Sequence, residues 1–237
     1  MIYFGVPLQS KAVSNDWMTV TSFFNRTLSS IYGQTDPNFR ILVACHDIPN
    51  LTKEYDDRVE FLIANSPIPR TKREMMKDKG YKISMIAKRV REIGAGYIML
   101  VDADDLISNR IAGYVNNHPG RNGFKSKYGY VFYEGTSYLK RIASPYRTCG
   151  SCSIVYYGLD DLPESLPENP WDDVYRDQWI IRKSCRELPR FLMEQGRPLK
   201  TMPFPTTVYV RNTGENHSMI NGGDLSWKRK VEMFLRR

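Results

Sequence analysis

The stretch Gly96-Tyr97-Ile98-Met99-Leu100-Val101-Asp102-Ala103-Asp104-Asp105 decides the fold of this chain. Its first six residues are mostly apolar, which is typical of a short strand buried on both faces of a parallel sheet. Three carboxylates then follow within four positions. Ligands of open α/β sheets bind at the carboxyl ends of such strands, so these acids lie where a ligand is expected.

Neighbouring carboxylates repel one another unless a positive charge joins them. Hard divalent cations such as Mn2+ or Mg2+ bind carboxylate and phosphate oxygens, so the pattern predicts a metal that carries a diphosphate. The alternative is a solvated acidic turn after a core strand, which an isolated Asp-x-Asp tripeptide would favour. The apolar strand directly before Asp102 favours the ligand site.

Upstream of this stretch, strand and helix patterns alternate. The sequence predicts strands at the start of the chain up to Pro7, at 39–45 and at 59–63. It predicts amphipathic helices over about 17–31 and 71–93, where apolar residues recur every three or four positions. Alternating strands and helices imply parallel strands joined by right-handed crossovers.

Beyond Asp105 the pattern becomes irregular. Short strands are predicted near 131–133, 137–141, 154–157 and 207–210, and a helix is predicted from about Trp171 to Arg186. We therefore expect one α/β domain in three parts. They are a nucleotide-binding half (1–108), an acceptor-binding half (109–223) and a C-terminal helix (224–237).

The composition indicates a folded protein. Of the 237 residues, 41% are hydrophobic and 25% are charged, which is ordinary for a globular domain. No apolar run approaches the roughly 18 residues that a membrane span needs, and the start of the chain reads as a strand rather than a signal peptide. The four cysteines do not form the pattern of a disulfide framework, so we expect a reducing, cytoplasmic environment.

The formal net charge of +8 favours anionic partners. Residues 226–237 carry five cations, and Trp227, Val231, Phe234 and Leu235 recur at helical spacing. This pattern predicts a basic amphipathic helix that contacts a membrane surface peripherally, or a terminal helix packed on the core with a solvated basic face. No nucleic-acid-binding motif is present and the basic residues are dispersed, so no specific nucleic acid is expected.

Two segments resemble the inverting glycosyltransferases of family 2, which have the GT-A fold. Leu28 to Val43 (LSSIYGQTDPNFRILV) resembles the family's SL-x-S-I-x-x-Q-T-x-P-N-x-E-I-I-V, and Ala95 to Asp105 (AGYIMLVDADD) resembles its G-x-Y-I-x-x-L-D-x-D-D. The resemblance covers the first half of the chain well and the second half poorly. It implies a GT-A-type, Rossmann-like, mostly parallel sheet flanked by helices, with an irregular acceptor-binding second half.

The resemblance also implies roles for individual residues. Asp102 would approach the ribose, Asp104 would bind the metal that holds the diphosphate, and Asp105 would assist through water or by orienting Asp104. Asp47 falls where the family has a carboxylate near the base or ribose, although His46 replaces the usual second acid. The nucleotide-sugar-binding residues predicted in this way or from loop position are Pro7, Leu8, Gln9, Asp47, Lys82, Asp102, Ala103, Gly150 and Ser151.

Two of these predictions have a separate basis. The family often has an Arg-Asn pair on the helix before the metal strand, but counting places Ile86 and Ala87 there. Lys82, about one turn earlier, is then the cation expected to meet the phosphates. The absence of a side chain at Gly150 lets the backbone approach a donor sugar closely, together with Ser151.

An inverting transfer needs a carboxylate that takes the proton of the acceptor hydroxyl. The resemblance implies an acid at the start of a helix in the second half. Asp177 is the favoured base and Asp173 the second choice, whereas Asp172 is read as an ordinary acid at a helix N-terminus. His217, in a polar loop late in the sequence, is a candidate to complete the metal site, or it is an ordinary loop histidine.

These features predict a metal-dependent glycosyltransferase. It would move a sugar from a nucleotide-sugar, in particular a UDP-sugar, to a glycan or a lipid-linked oligosaccharide during surface polysaccharide synthesis. The alternatives are a nucleotidyltransferase that makes sugar nucleotides and a non-catalytic binding module with the same fold. The first alternative is disfavoured because the loop after the first strand has one lysine and no glycine.

Overall fold

The protein is built around two β-sheets, which the computed structural model describes for residues 1–171 and 179–215. The strands, in chain order, are β1 (Ile2–Pro7), β2 (Phe39–Cys45), β3 (Val59–Ile63), β4 (Gly96–Leu100), β5 (Leu106–Ile107), β6 (Gly123–Ser126), β7 (Tyr128–Tyr133), β8 (Leu139–Ala143), β9 (Ser153–Tyr157), β10 (Lys200–Met202) and β11 (Thr207–Arg211). The helices are α1 (Trp17–Tyr32), α2 (Lys72–Ile93), α3 (Ile111–Asn116) and α4 (Leu188–Glu194).

The main sheet has the strand order β10-β6-β9-β4-β1-β2-β3. β1 pairs in parallel with both β2 and β4, and β2 pairs in parallel with β3. Among the described strands of the main sheet, β9 alone runs against its neighbours. The strand order therefore reverses beside β1, because β2 and β3 lie on one side of it and β4 on the other. Such a switch point is where ligands of α/β sheets bind.

Hydrophobic side chains cover both faces of the main sheet. Along β1, Phe4 and Val6 pack on one face with α1 and α3, whereas Tyr3 packs on the other face with α2 and α4. This two-sided burial follows from the continuous apolar runs of the strands. The predicted α/β architecture, a mostly parallel sheet flanked by helices, is confirmed.

A close contact between α2 and β1 fixes the position of that helix. A Cβ atom at Gly5 would lie 2.8 Å from Cγ2 of Ile86, so only glycine allows this approach. α2 begins with a capping box, in which Thr71 accepts from the Glu74 backbone and the Glu74 side chain accepts from the Thr71 backbone. Together these features set which residues of α2 reach the end of β1.

The second half of the chain is interleaved with the first. It supplies β6, β9 and β10 to the main sheet, and its strands β7, β8 and β11 join β5 in a second sheet of order β5-β11-β7-β8. Residues from both sides of position 108 therefore contribute strands to each of the two sheets.

The predicted helix from Trp171 to Arg186 is wrong over the part that the structure describes. After Trp179, which has extended backbone angles, Ile180–Arg182 forms a single 3-10 turn. That turn buries Ile181 and reaches across α2 with Arg182, whose guanidinium lies against Gly80.

Residues 172–178 and the predicted C-terminal helix at 224–237 lie outside the described residues. Among the residues that the structure describes, no helix is both long enough and apolar enough to span a membrane.

Candidate functional site

A cavity of about 380 Å³ opens at the carboxyl ends of β1 and β4. The loop after β1, the turn after β4 and the first half of α2 all contribute to its wall. The switch point of the sheet and the cavity thus coincide. Seven residues that the sequence predicts for the site line this cavity: Pro7, Leu8, Gln9, Lys82, Asp102, Ala103 and Asp104.

Asp102 forms an ion pair with a lysine on the cavity wall. The backbone N–H of Val101 donates to Gly5 O (2.8 Å), which extends the pairing of β4 with β1 and brings Asp102 to the cavity wall. Lys79 Nζ lies 2.5 Å from Asp102 Oδ1, with the side chains 37% and 27% exposed respectively. Burial acts to lower the pKa of Lys79, but the nearby carboxylates, Asp102 first, outweigh it and raise that pKa. Lys79 is therefore a firmly protonated ammonium group.

Asp104 also lines the cavity. Burial and the negative charge of Asp102 raise the pKa of Asp104 to about 7, against the opposing effect of Lys79. Burial is the largest cause, and the Asp102 charge adds to it although Lys79 lies nearby. A further cation at this position would relieve the repulsion between the two carboxylates.

Asp105 lies behind the cavity and is fully buried. Its Oδ2 accepts hydrogen bonds from Ser151 Oγ (2.7 Å) and Cys149 Sγ (3.1 Å), and its Oδ1 accepts from Val210 N (3.1 Å). Burial raises the pKa of the Cys149 thiol well above its usual value, so this thiol is a neutral donor. Asp105 thus joins the turn after β4 to the loop 149–151 and to β11.

Gly150 and Ser151 hold Asp102 rather than lie open to a donor sugar. Ser151 is fully buried, and its Oγ accepts from Asp102 N (2.8 Å) while it donates to Asp105. A Cβ atom at Gly150 would lie 2.9 Å from Asp102 Oδ2. The Ser151 hydroxyl is used within the protein, and the side chain is buried, so the predicted approach to a donor stays a prediction for the backbone of this loop. The close approach predicted for Gly150 is made by the Asp102 carboxylate.

Lys82 borders the cavity with its ammonium group already bonded. Lys82 Nζ donates to Leu8 O (2.8 Å) and to Asp78 Oδ2 (2.6 Å), and both side chains are almost fully buried. This pair fixes the loop after β1 against α2. The cation that faces the site acids is Lys79, which lies one turn earlier on the same helix and was not selected from the sequence.

Asp47 and His46 lie beside the cavity, outside its lining. Asp47 Oδ2 accepts from Ser10 Oγ (3.2 Å) and Lys11 N (2.9 Å), so it holds the loop after β1. His46 Nε2 lies 3.0 Å from the carbonyl oxygen of Ser66. Both residues therefore support the loops around the cavity.

One side of the cavity is apolar. Val13, Val20 and Phe23 approach from α1 and the turn before it, and Met75 and Tyr209 approach from α2 and β11. Sequence reasoning missed this wall because its members come from four separated segments. In the sequence, each of these residues looks like an ordinary core residue.

The candidate bases and the candidate metal histidine, Asp173, Asp177 and His217, lie outside the described residues. The residues that flank 172–178 are bonded to α2. Lys77 Nζ donates to Trp171 O (2.6 Å), and Arg182 Nη1 donates to Ser84 Oγ (3.1 Å). Both connections reach the helix that carries Lys79.

The donor set at the cavity fits a hard divalent cation. Asp102 and Asp104 place carboxylate groups on the cavity wall, whereas both oxygens of the buried Asp105 accept from protein donors. No group of three or more metal-binding His, Cys, Asp or Glu side chains occurs within residues 1–171 and 179–215. Two carboxylates suffice for Mg2+-type binding, since substrate phosphates and water supply the remaining ligands.

Comparison with known proteins gives structural likenesses only. No family model matches the sequence, and no curated protein matches it. A structure of S. aureus TarS 1–349 in complex with UDP-GlcNAc is similar with a TM-score of 0.49 and 14% identity, over 92% of this chain and 60% of that one. The complex with UDP gives 0.47 and 12%, over 88% and 60%. A longer TarS chain gives 0.48 and 12%, over 88% of this chain and 36% of that one. This protein therefore spans 60% of the TarS 1–349 chains and about a third of the longer one.

Proposed function

We propose that this protein is a metal-dependent glycosyltransferase that uses a UDP-sugar as donor. It transfers the sugar with inversion to a glycan or lipid-linked acceptor in surface polysaccharide synthesis. One observation carries the proposal: Asp102, Asp104 and Lys79 meet on the wall of one cavity at the carboxyl ends of β1 and β4. The resemblance of residues 28–43 and 95–105 to family 2 glycosyltransferases supports the same conclusion.

The cavity suits a nucleotide-sugar in size and character. Its volume of about 380 Å³ lies within the range of about 300–1,000 Å³ that is usual for small-molecule sites. Pro7, Leu8 and Gln9 border the nucleoside part in this proposal, and the acidic end takes the diphosphate. The charges at the acidic end match a diphosphate only together with a cation, because two carboxylates repel phosphate oxygens.

Asp102 and Asp104 would hold the metal, which in its bound state supplies positive charge to the leaving diphosphate. Lys79 adds a second positive charge from α2. A lysine ammonium is protonated near neutral pH, so Lys79 can stay beside the diphosphate as a fixed positive charge. Charge stabilisation of this kind, aimed at the leaving group, is commonly the largest single contribution to catalysis.

The protein must also remove a proton from the acceptor hydroxyl. We assign this role to Asp177, with Asp173 as the second choice. Their segment is flanked by Trp171 and Arg182, both bonded to α2, which also carries Lys79. Asp177→Asn is expected to abolish transfer while UDP binding survives. Near-normal turnover in that variant would move the assignment to Asp173.

The test is a product assay with labelled UDP-sugars, Mn2+ and acceptor mixtures. Appearance of UDP together with a labelled glycan supports the proposal. Formation of UTP from a UDP-sugar and diphosphate would instead show a nucleotidyltransferase. UDP-sugar binding without any turnover, with several acceptors present, would show a binding module with this fold.

A further inference from the structure

Exposed apolar side chains are concentrated at one end of the main sheet. Among the described residues, eleven large apolar side chains are exposed, and five of them lie near the point where a parallel strand ends or a helix begins. These five are Met18, Ile48, Ile63, Ile68 and Met76. Because β1, β2 and β3 run in parallel, and α1 and α2 each follow one of them, all five residues lie at the end of the sheet that carries the cavity.

The segments that carry these side chains meet around the mouth of the cavity. Lys11 N donates to Asp47 Oδ2 (2.9 Å), which joins the loop after β1 to the loop after β2. His46 Nε2 lies 3.0 Å from the carbonyl oxygen of Ser66, which joins the loop after β2 to the loop after β3. Met76 lines the cavity itself. We call this surface the apolar rim; it consists of Met18, Ile48, Ile63, Ile68 and Met76.

Exposed cations accompany the apolar rim, whereas three acids beside it bond to backbone N–H groups. The exposed cations include Lys11, Arg70 and Lys72. The Glu74 carboxylate closes the capping box of α2, and the Asp16 carboxylate caps α1. The Asp47 carboxylate accepts from the backbone of Lys11. The rim therefore presents positive charge outwards, next to its apolar side chains.

This combination of exposed aliphatic side chains and exposed cations fits the surface of an anionic membrane. Proteins bind such a surface through the apolar area that they bury and through attraction between Lys or Arg and the anionic headgroups. A second copy of this chain fits less well, because two positively charged rims repel each other. A single-stranded nucleic acid also fits less well, because its bases stack on aromatic rings and the rim consists of isoleucine and methionine.

We propose that the apolar rim binds the surface of an anionic membrane, with the mouth of the cavity facing the bilayer. Met76 belongs both to the rim and to the cavity lining, so a molecule anchored in the membrane would reach the cavity without leaving the bilayer. An acceptor attached to a lipid fits this arrangement better than a free glycan. Membrane binding is independent of the proposed transferase function, whereas the choice of a lipid-linked acceptor rests on it.

The experiment measures co-sedimentation of the full chain with vesicles of phosphatidylglycerol and phosphatidylcholine in equal parts, and with vesicles of phosphatidylcholine alone. We expect stronger binding to the anionic vesicles, and a loss of it as NaCl rises from about 50 to 500 mM, because salt screens exposed charges. Ile48→Glu and Ile68→Glu should each weaken binding about tenfold, and Lys72→Gln about fivefold. Absence of vesicle binding, or unchanged binding in both isoleucine variants, would overturn the proposal. The second result would leave residues 226–237 as the membrane contact.

Leu159→Glu and Lys200→Gln are the matched controls. Leu159 is 47% exposed, between Ile48 (54%) and Ile68 (41%), and it follows β9, which runs against β4. Lys200 is exposed at the start of β10, which runs in the same direction as β4. Both residues therefore lie at the end of the sheet opposite the rim, and both variants should bind vesicles within about twofold of the unmodified protein. Losses equal to those of the rim variants would show attraction to net charge alone and would contradict a specific surface.

UDP binding to the same preparations, measured calorimetrically with Mn2+, reports the cavity separately from the rim. Ile48→Glu and Ile68→Glu should lose vesicle binding and keep UDP binding within about twofold, because the described cavity lining contains neither side chain. Absence of UDP binding in the unmodified protein would defeat the proposed function, whereas the membrane contact would still be decided by the vesicle assay.

The acceptor is tested by transfer from labelled UDP-sugars to a polyprenyl-linked sugar in the anionic vesicles and to the same sugar in solution. Ile68→Glu should slow transfer to the vesicle-bound acceptor about tenfold and leave transfer to the soluble sugar within about twofold. Faster transfer to the soluble sugar by the unmodified protein would contradict a lipid-linked acceptor. A dimer that Ile68→Glu dissociates, found without any vesicle binding, would assign the rim to a second copy of the chain.

Discussion

Asp104 and Asp105 are neighbours in sequence, yet they lie in two different regions of the molecule. Asp104 lines the cavity, near Asp102 and Lys79. Asp105 points into the protein and accepts three hydrogen bonds from loop 149–151 and β11. The comparison shows that a run of acids does not share one role, because the segments that pack behind the turn decide which carboxylate faces the cavity and which is buried.

The largest effect that would sharpen this comparison is expected at Asp105. Asp105→Ala leaves the buried donors Ser151 Oγ, Cys149 Sγ and Val210 N without their acceptor, so the free energy of unfolding should fall by about 3 kcal/mol or more. Urea unfolding followed by circular dichroism measures this loss. Asp104→Ala is the comparison variant, and it should lose less stability than Asp105→Ala because Asp104 lies on the cavity wall and not in the protein interior. Equal stability of the two variants would break the comparison.

Two lysines of α2 differ in the same way. Lys82 belongs to a buried ion pair with Asp78, and Lys79 pairs with Asp102 on the cavity wall. Lys82→Met removes the partner of buried Asp78, so the protein should lose about 3 kcal/mol of stability. Lys82→Met combined with Asp78→Leu should recover most of that loss, because no isolated buried charge remains. Thermal and urea unfolding give both values. If Lys82→Met alone were as stable as the unmodified protein, the Lys82–Asp78 pair would not stabilise the loop after β1.

Lys79→Met should act on binding and not on folding. The Lys79 side chain is more than a third exposed, so its removal should change the unfolding free energy by less than about 1 kcal/mol. The affinity for UDP in Mn2+ should fall about tenfold, since one charge contact to the diphosphate is lost. Lys79→Arg is expected to restore part of it. UDP binding that is unaffected by Lys79→Met would remove this lysine from the diphosphate site.

Gly150→Ala is the smallest expected perturbation. Its Cβ atom would meet Asp102 Oδ2 at 2.9 Å and displace that carboxylate by a few tenths of an ångström. We expect a loss of UDP affinity of about threefold to tenfold, because misplaced ligands weaken a site without unfolding it. Gly120→Ala is a useful control, because a Cβ there meets no atom within 4 Å, although its φ of +72° adds local strain. Similar UDP affinities in both variants would argue against a positional role for Gly150.

Much of the first half of the chain was predictable from the sequence. Continuous apolar runs locate β1 to β4, and their alternation with α1 and α2 predicts parallel strands. The choice between Lys79 and Lys82 was not predictable, because residues three apart share one face of a helix and only the packing of α2 on Gly5 decides which one reaches Asp102.

The second half was harder to predict because its side chains bond to residues that are distant in the sequence. The role of Ser151 depends on Asp102 and Asp105, which lie more than forty positions earlier. The segment at 180–182 is as apolar as a helix would be, but it forms a single 3-10 turn in which Arg182 lies against Gly80 of α2. Long-range contacts of this kind leave no periodic signal in the local sequence.

The most direct test of the central claim is a calorimetric titration of UDP into the unmodified protein and Asp104→Ala, each with and without Mn2+. GDP serves as the base control. The account predicts UDP binding that requires Mn2+ in the unmodified protein and is weakened at least about tenfold in Asp104→Ala, which should remain folded. Absence of UDP binding under every metal condition in a folded protein, or equal binding by Asp104→Ala, would contradict the assignment of this cavity as a metal-diphosphate site.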